Sequence, residues 1–410
     1  MIQIICDEPN QSKVDVRSLF LEIAGWAAAS KGISKINLYI NNNYIGNAHY
    51  GIPRPDVKKA LPDVNGSDLS GYWYDVDLSN FQGGIYTLKI EAISCARQKA
   101  IIEKELILHN QNEFLKPAVC PICQKGDSIG RRKGWHKGKY QLFHCFNCST
   151  GFIWPIPGKE ELDYYYNNVY WENSEELIKK SPVHGDTEYI HRLIKNNSPG
   201  AKTIFEAGCG FGNLLNGLKQ KGYEVLGQDF SKKSAKLGEK KLGINILTGT
   251  LSQLPPSQFD CVILRHMIEH SPSPFIDFKF AVEHLKVGGL LILVTPNYNS
   301  LAAQIFERFW EWFVPPAHLF YFTLESFKYI AKRHNMGIIF VENRKGDAVP
   351  ILEAWSNFAK YNITINDPWK RNWINNSEDL LKALILQKNN SFLGEVGLAE
   401  ELVLVFQKAK

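Results

Sequence analysis

Over the first hundred residues apolar and polar positions alternate in short runs broken by turn-forming residues. The stretch "KINLYINNNYIGNA" (35–48) alternates, breaks at an Asn-rich turn at 41–43 and resumes at Tyr44, which is a hairpin pattern. "GIYTLKIEAIS" (84–94) and "AIIEKELILHN" (100–110) repeat the alternation on either side of a turn near Ala96 and Arg97. Period-2 runs at this spacing predict an all-β sandwich of immunoglobulin-like type. From about residue 160 the period changes. "DTEYIHRLIKNN", "NLLNGLKQKG", "SKKSAKLGEKKLG" and "DFKFAVEHLKVGG" read as helices, and they are interleaved with the apolar runs "TIFEAG", "YEVLGQDF", "INILTG", "FDCVILRH" and "LLILVTP". Strands rich in Val, Ile and Leu alternating with helices predict a parallel α/β sheet, doubly wound, with helices on both faces. The expected organisation is therefore multidomain: a β-sandwich over 1–112, a small cysteine-bearing module over 113–160, and an α/β domain over 161–410.

Composition narrows the picture only a little. With 44% hydrophobic and 22% charged residues, the 410-residue chain has the balance of an ordinary soluble globular protein. The formal net charge is +5 and the longest basic run is "RRK" at 131–133, which argues against a nucleic-acid or membrane surface. The start "MIQIICDEPNQ" lacks the cationic, then apolar, pattern of a secretory signal. Apolar runs such as "LLILV" (290–294) fall far short of the roughly 20 residues a bilayer span needs. Four of the eight cysteines form two C-x-x-C pairs and the rest are scattered, which suits a reducing cytoplasm better than a disulfide framework. Oligomeric state is left open.

Those pairs are "CPIC" (120–123) and "CFNC" (145–148), separated by 21 residues. Two such knuckles can wrap one tetrahedral Zn²⁺ through Cys120, Cys123, Cys145 and Cys148. Four thiolates leave no open coordination position, so a structural ion is expected. His136 and His144 lie nearby and read as surface residues.

The strongest chemical signal is "TIFEAGCGFGNLL" (203–215). Gly208, Gly210 and Gly212 follow an apolar run and precede a helix, in a spacing that is neither the dinucleotide G-x-G-x-x-G nor the triphosphate-binding G-x-x-x-x-G-K-[ST]. Asp229 closes the next strand, where a carboxylate can accept hydrogen bonds from ribose hydroxyls. "FEAGCGFGNLLNGLKQKGYEVLGQDFS", "FDCVILRHMIEH" and "LKVGGLLILVTPN" resemble the successive motifs of class I S-adenosylmethionine (SAM)-dependent methyltransferases, over roughly 200–345. The resemblance implies that Gly208, Gly210 and Gly212 lie under the methionine and ribose portions of SAM and that Asp229 holds the ribose diol. It also implies that Glu206 supports the loop or the methionine ammonium. Thr250 and Leu251 would line the adenine pocket, Arg265 or His266 would flank the cofactor, and "MGIIFVEN" and "ELVLVFQKA" would form the antiparallel edge of the sheet.

Methyl transfer needs an aligned nucleophile and, for an alcohol or acidic C–H, a base. Histidine suits that role near neutral pH. His318 in "PPAHLFYFT" is the first candidate and His270 in "HMIEHSPSP" the second, both expected at the carboxyl edge of the sheet. The aromatic insertion "FERFWEWFV" (306–314) could stack on a sugar ring or cover the core. The tyrosine run "DYYYNNVYW" (163–171) resembles an arm that covers cofactor or substrate in related enzymes. A zinc module ahead of such a domain resembles the arrangement in sugar C-methyltransferases, and residues 25–57 followed by 70–92 resemble Ig-like accessory domains attached to bacterial glycan-processing enzymes and to some methyltransferases. These imply a small-molecule acceptor, a nucleotide sugar or saccharide. The competing readings are an RNA or protein methyltransferase docking its target through the zinc module, and a non-catalytic SAM-binding scaffold.

Overall fold

A computed structural model describes residues 2–109, 117, 119–166, 183–251, 257–344 and 399–409. The described residues fall into two compact units. One holds the chain up to the end of the N-terminal strands together with His136–Tyr140; the other holds Pro117–Trp135 and the described residues from Gln141 on.

The first unit carries β1 (Ile2–Glu8), β2 (Lys13–Val16), β3 (Phe20–Ala29), β4 (Ile33–Ile40), β5 (Asn43–Asn47), β6 (His49–Ile52), β7 (Gly71–Asp77), β8 (Gly84–Ser94) and β9 (Lys99–Leu108). They form two sheets, ordered β1-β3-β7-β6 and β2-β9-β8-β4-β5. Alternate side chains of both, among them Ile23 and Ala27 of β3, Ile36 and Leu38 of β4, and Leu88 and Ile90 of β8, meet in one core. The β4–β5 turn is built on Asn41 and Asn42 at φ 46° and 64°. This left-handed pair is what a two-residue hairpin turn demands and what asparagine tolerates. His136, expected at the surface, is instead buried, with Nε2 2.9 Å from the Asp75 carboxylate.

After the N-terminal strands, β10 (Ile129–Lys137), β11 (Tyr140–Cys145) and β12 (Thr150–Trp154) precede the seven-stranded sheet of the second unit. Its members are β13 (Thr203–Ala207), β14 (Glu224–Asp229), β15 (Ile246–Thr248), β16 (Phe259–Arg265), β17 (Leu285–Pro296), β19 (Met336–Arg344) and β20 (Glu401–Lys408). The order is β15-β14-β13-β16-β17-β20-β19, parallel through β17 and antiparallel at β20. The central strands read as unbroken apolar runs because both faces are covered: Cys261–Leu264 and Leu290–Val294 are fully buried. Helix α1 (Thr187–Asn197) presents Ile190, Leu193 and Ile194 to that core, and α2 (Asn213–Gln220) presents Leu214 and Leu218. Helix α3 (Lys232–Leu242) is capped by Ser231, whose hydroxyl accepts from Ser234 N, and ends on Gly243 at φ 61°.

One boundary differs from the sequence pattern. β17 starts at Leu285, not Leu290, because Leu285 pairs with Phe259 before Gly288, at φ 76°, shifts the register to Cys261–Leu290. The short strand β18 (Phe320–Tyr321) leaves the large sheet altogether and pairs with β12, giving a four-stranded sheet β10-β11-β12-β18. No helix among the described residues is long and apolar enough to cross a membrane.

Candidate active site

β13 and β16 are parallel neighbours, and strand order reverses between them, so the loops that follow them open at one edge of the sheet. Ligands of open α/β sheets bind at that switch point. After β13, Gly208, Gly210 and Gly212 adopt φ 63°, 59° and 79°. A Cβ on Gly208 would stand 2.6 Å from Met267 Cγ in the loop after β16, so both torsion and space require glycine there. The Gly210 N–H donates to the Asp229 carboxylate at 2.8 Å, and Ser231 N–H donates to its other oxygen at 2.8 Å. Asp229 thus ties the glycine loop to the end of β14. Burial raises its pKa while those two N–H donors oppose the rise.

Glu206 lies inside this cradle with 0% exposure, and neither of its carboxylate oxygens accepts a hydrogen bond. Arg265 Nε approaches to 3.5 Å and its Nη1 contacts His184 Nε2 at 3.2 Å. Burial pushes the Glu206 carboxyl up to about 7 in spite of the guanidinium. A buried carboxylate without a donor fits a ligand that brings an ammonium, and SAM does. Leu251 is buried and Thr250 exposed just after β15. We therefore expect SAM affinity to fall about tenfold per pH unit below about 7, as Glu206 takes up the proton that ligand binding must expel. Calorimetry in buffers of different ionisation enthalpy measures that proton release, and Glu206→Gln is expected to abolish it.

Across the switch point the chain after β16 forms a short 3₁₀ turn, Ile268–His270. Glu269, 1% exposed, accepts from Thr295 Oγ1 at 3.1 Å, and its backbone carbonyl accepts from Leu319 N at 2.8 Å. That second bond draws in the segment carrying His318, which is 4% exposed. The His270 and His318 rings meet edge to face at 4.6 Å. His270 Nδ1 lies 3.0 Å from the Ala317 carbonyl and 3.0 Å from Tyr166 Oη. Burial lowers both histidines, His318 to about 3.

His266, at φ 47°, contacts Glu269 (3.4 Å) on one side and Glu401 (3.0 Å) on the other. Burial works against its charge, but the two carboxylates raise its pKa overall. Trp312 stacks on His266 (5.3 Å, 3°) and on His318 (5.9 Å, 10°), and an aromatic face suits the cationic His266 imidazole. Arg344 Nε holds the other Glu401 oxygen at 3.1 Å, and Arg344 Nη2 reaches Asp186 at 3.2 Å. Glu401 and Arg344 carried no signal in the sequence: each is one charged residue at the end of an apolar strand, brought to the site by β19 and β20. In the aromatic insertion, Trp310 and Phe313 are buried, and Trp310 Nε1 donates to Glu400 at 2.7 Å, so these two cover the core. Of the tyrosine run, residues 167–171 lie outside the described residues.

The four knuckle cysteines are buried and converge. Cys120 and Cys148 sulfurs are 3.6 Å apart, Cys123 and Cys145 3.5 Å, and all four lie within 4.8 Å of one another. A tetrahedron of thiolates at about 2.3 Å from zinc has edges of about 3.8 Å, so little movement would close it on an ion. His144, read as a surface residue, is half-buried against Phe146 and Tyr298, and burial lowers it to about 4.

A family profile described as Methyltransferase domain matches residues 170–339. The described residues of that span belong to a methyltransferase domain. The domain is of the class I SAM-dependent group, and the glycine loop after β13 and the Asp229 end of β14 lie within it. The ubiquinone biosynthesis O-methyltransferase of Idiomarina loihiensis is 30% identical over 128 residues, 29% of this chain and 53% of that protein. The protein of the same name from Pseudomonas paraeruginosa is 31% identical over 142 residues, 32% of this chain and 60% of that one. The chain thus spans only about half to three fifths of these relatives. A SAM-dependent methyltransferase from Archaeoglobus fulgidus, solved by crystallography, is 21% identical and covers 58% of this chain and all of its own, with a TM-score of 0.38.

Proposed function

We propose that the methyltransferase domain moves a methyl group from SAM to a hydroxyl of a small-molecule acceptor, and that the acceptor is a saccharide or nucleotide-sugar precursor. One observation carries the reading: a glycine loop with an undonated buried carboxylate and the loop that carries Glu269 and His270 of the Glu269–His270–His318 cluster follow the two neighbouring strands of the switch point, and Gly208 lies against Met267. Gly208, Gly210, Gly212 and Asp229 would hold the nucleoside side of SAM, Glu206 its ammonium, with Thr250, Leu251 and Arg265 around them. Bound there, SAM supplies an electrophilic methyl on a sulfonium. The curated relatives' names, which are O-methyltransferases, support oxygen as acceptor atom.

His270 is the stronger base. His318, first choice on the sequence, is held so far below its usual pKa that it accepts a proton poorly, and a base works best near the operating pH. His270, half-buried with its Nδ1 beside the Ala317 carbonyl, is lowered by burial as well but not to the same extent, so it is the imidazole we assign as base. Cys120, Cys123, Cys145 and Cys148 would bind a structural Zn²⁺, and the Ig-like first unit would serve as an accessory module. The test is accumulation of S-adenosylhomocysteine with a panel of nucleotide sugars and phenolic alcohols. Turnover with nucleotide sugars supports the proposal; turnover with phenols alone removes the saccharide reading, and a protein that binds SAM but turns over nothing is a scaffold.

A further inference from the structure

We infer that Glu269, His270 and His318 form a second metal site, for a divalent transition cation, distinct from the four-cysteine cluster. One ligand atom from each of the three lies within 4.8 Å of the others, and this is the second such grouping among the described residues. Two imidazoles and one carboxylate leave positions open on the metal, which four thiolates do not.

The surroundings are those of ligands rather than of a packed polar cluster. His318 Nδ1, on a residue 4% exposed, is buried with no hydrogen-bond partner, and Glu269 Oε1, on a residue 1% exposed, has no hydrogen bond and meets the His266 ring only at 3.4 Å. The remaining atoms are braced from outside. His270 Nδ1 sits 3.0 Å from the Ala317 carbonyl, and Thr295 donates to Glu269 Oε2. Outer partners of this kind fix the tautomer and aim of metal ligands. The bracing Ala317 carbonyl and the ligand His318 are adjacent residues, so one loop supplies both a ligand and the carbonyl that orients His270. The glycine loop touches Met267, two residues before Glu269, which sets the ion beside the cofactor cradle.

The inference rests on the reading that this cluster is the acceptor side of methyl transfer. An acceptor hydroxyl on such an ion loses its proton to water more readily, so oxygen activation passes from an imidazole to the metal. Soft thiolates and the N/O set also prefer different ions, which allows the two sites to be loaded separately.

The experiment adds Co²⁺ to protein whose cysteine-site zinc has been measured and retained, and follows the visible spectrum and metal content. One extra cobalt per chain is expected, with weak d–d bands and no thiolate charge-transfer band. Glu269→Gln and His318→Ala are expected to lose that cobalt while keeping native circular dichroism and S-adenosylhomocysteine affinity. Uptake no greater than the cysteine site accounts for, or uptake showing only charge-transfer bands, overturns the inference, and neither observation depends on a variant folding. Undiminished turnover after removal of everything but the cysteine-site metal also overturns it and leaves methyl transfer by His270 standing. Failure to bind S-adenosylhomocysteine at all sinks the cofactor reading instead.

Discussion

Cys145→Ser is expected to abolish methyl transfer while leaving S-adenosylhomocysteine binding within a few-fold of the parent. The argument runs through the pairing of β12 with β18. Cys145 ends β11, and β11 pairs with β12 from Gln141–Trp154 to Cys145–Thr150. β12 in turn pairs with β18 at Gly151–Tyr321 and Phe152–Phe320, and Ile153 N–H donates to the Leu319 carbonyl at 3.0 Å. The cysteine cluster therefore anchors the strand that follows His318 directly. Binding of a structural zinc is worth about 10–16 kcal/mol in small thiolate sites, more than the few residues of the β10–β12 sheet could supply by burial. Losing one thiolate should release one zinc per chain, free β18 from β12 and displace His318 and the Ala317 carbonyl. Glu206, the glycine loop and Asp229 belong to the large sheet and its own core, so cofactor binding should survive. Elemental analysis, S-adenosylhomocysteine titration and turnover on the same preparation check it. Full activity in protein without zinc would remove the cysteine cluster's structural role.

The same pairing shows what the sequence can and cannot disclose. Elements whose periodicity is set by their own burial were legible, including the hairpin at Asn41–Asn42, the amphipathic α1 and α2, and the continuous apolar runs of β16 and β17. The turn after β13 was legible too, because the glycine spacing and Asp229 after the next strand obey local backbone geometry. Glu401 and Arg344 were not legible, since their role comes from antiparallel pairing of the last two strands, where Arg344 is opposite Glu401. Nor was β18: two apolar residues in "HLFYF" give no clue that they pair with a strand some 170 positions earlier. His270 and His318 could each be proposed singly from residue type. Their convergence on Glu269 needed the Glu269 carbonyl to Leu319 N–H bond, which joins loops after different strands.

That convergence makes the two histidines experimentally separable. His270→Ala is expected to lower kcat by about 10²- to 10⁴-fold, the usual contribution of a positioned general base, with S-adenosylhomocysteine affinity unchanged. His318→Ala divides the alternatives. As a buried neutral imidazole that only packs against His270 and stacks on Trp312, His318 contributes orientation, and its loss should cost roughly tenfold through the slackened His270 ring. As a ligand to an ion shared with Glu269, it acts as part of a unit, and groups that act as a unit fall to the same floor whichever is removed. Equal losses in His270→Ala, His318→Ala and the double variant therefore favour the metal, and a large loss confined to His270→Ala favours the base. Imidazole in the buffer sharpens the distinction. It can restore proton transfer in His270→Ala when the missing group is a base, while restoring a metal site requires the ion as well, so rescue by imidazole that survives depletion of every metal outside the cysteine cluster assigns the proton to His270.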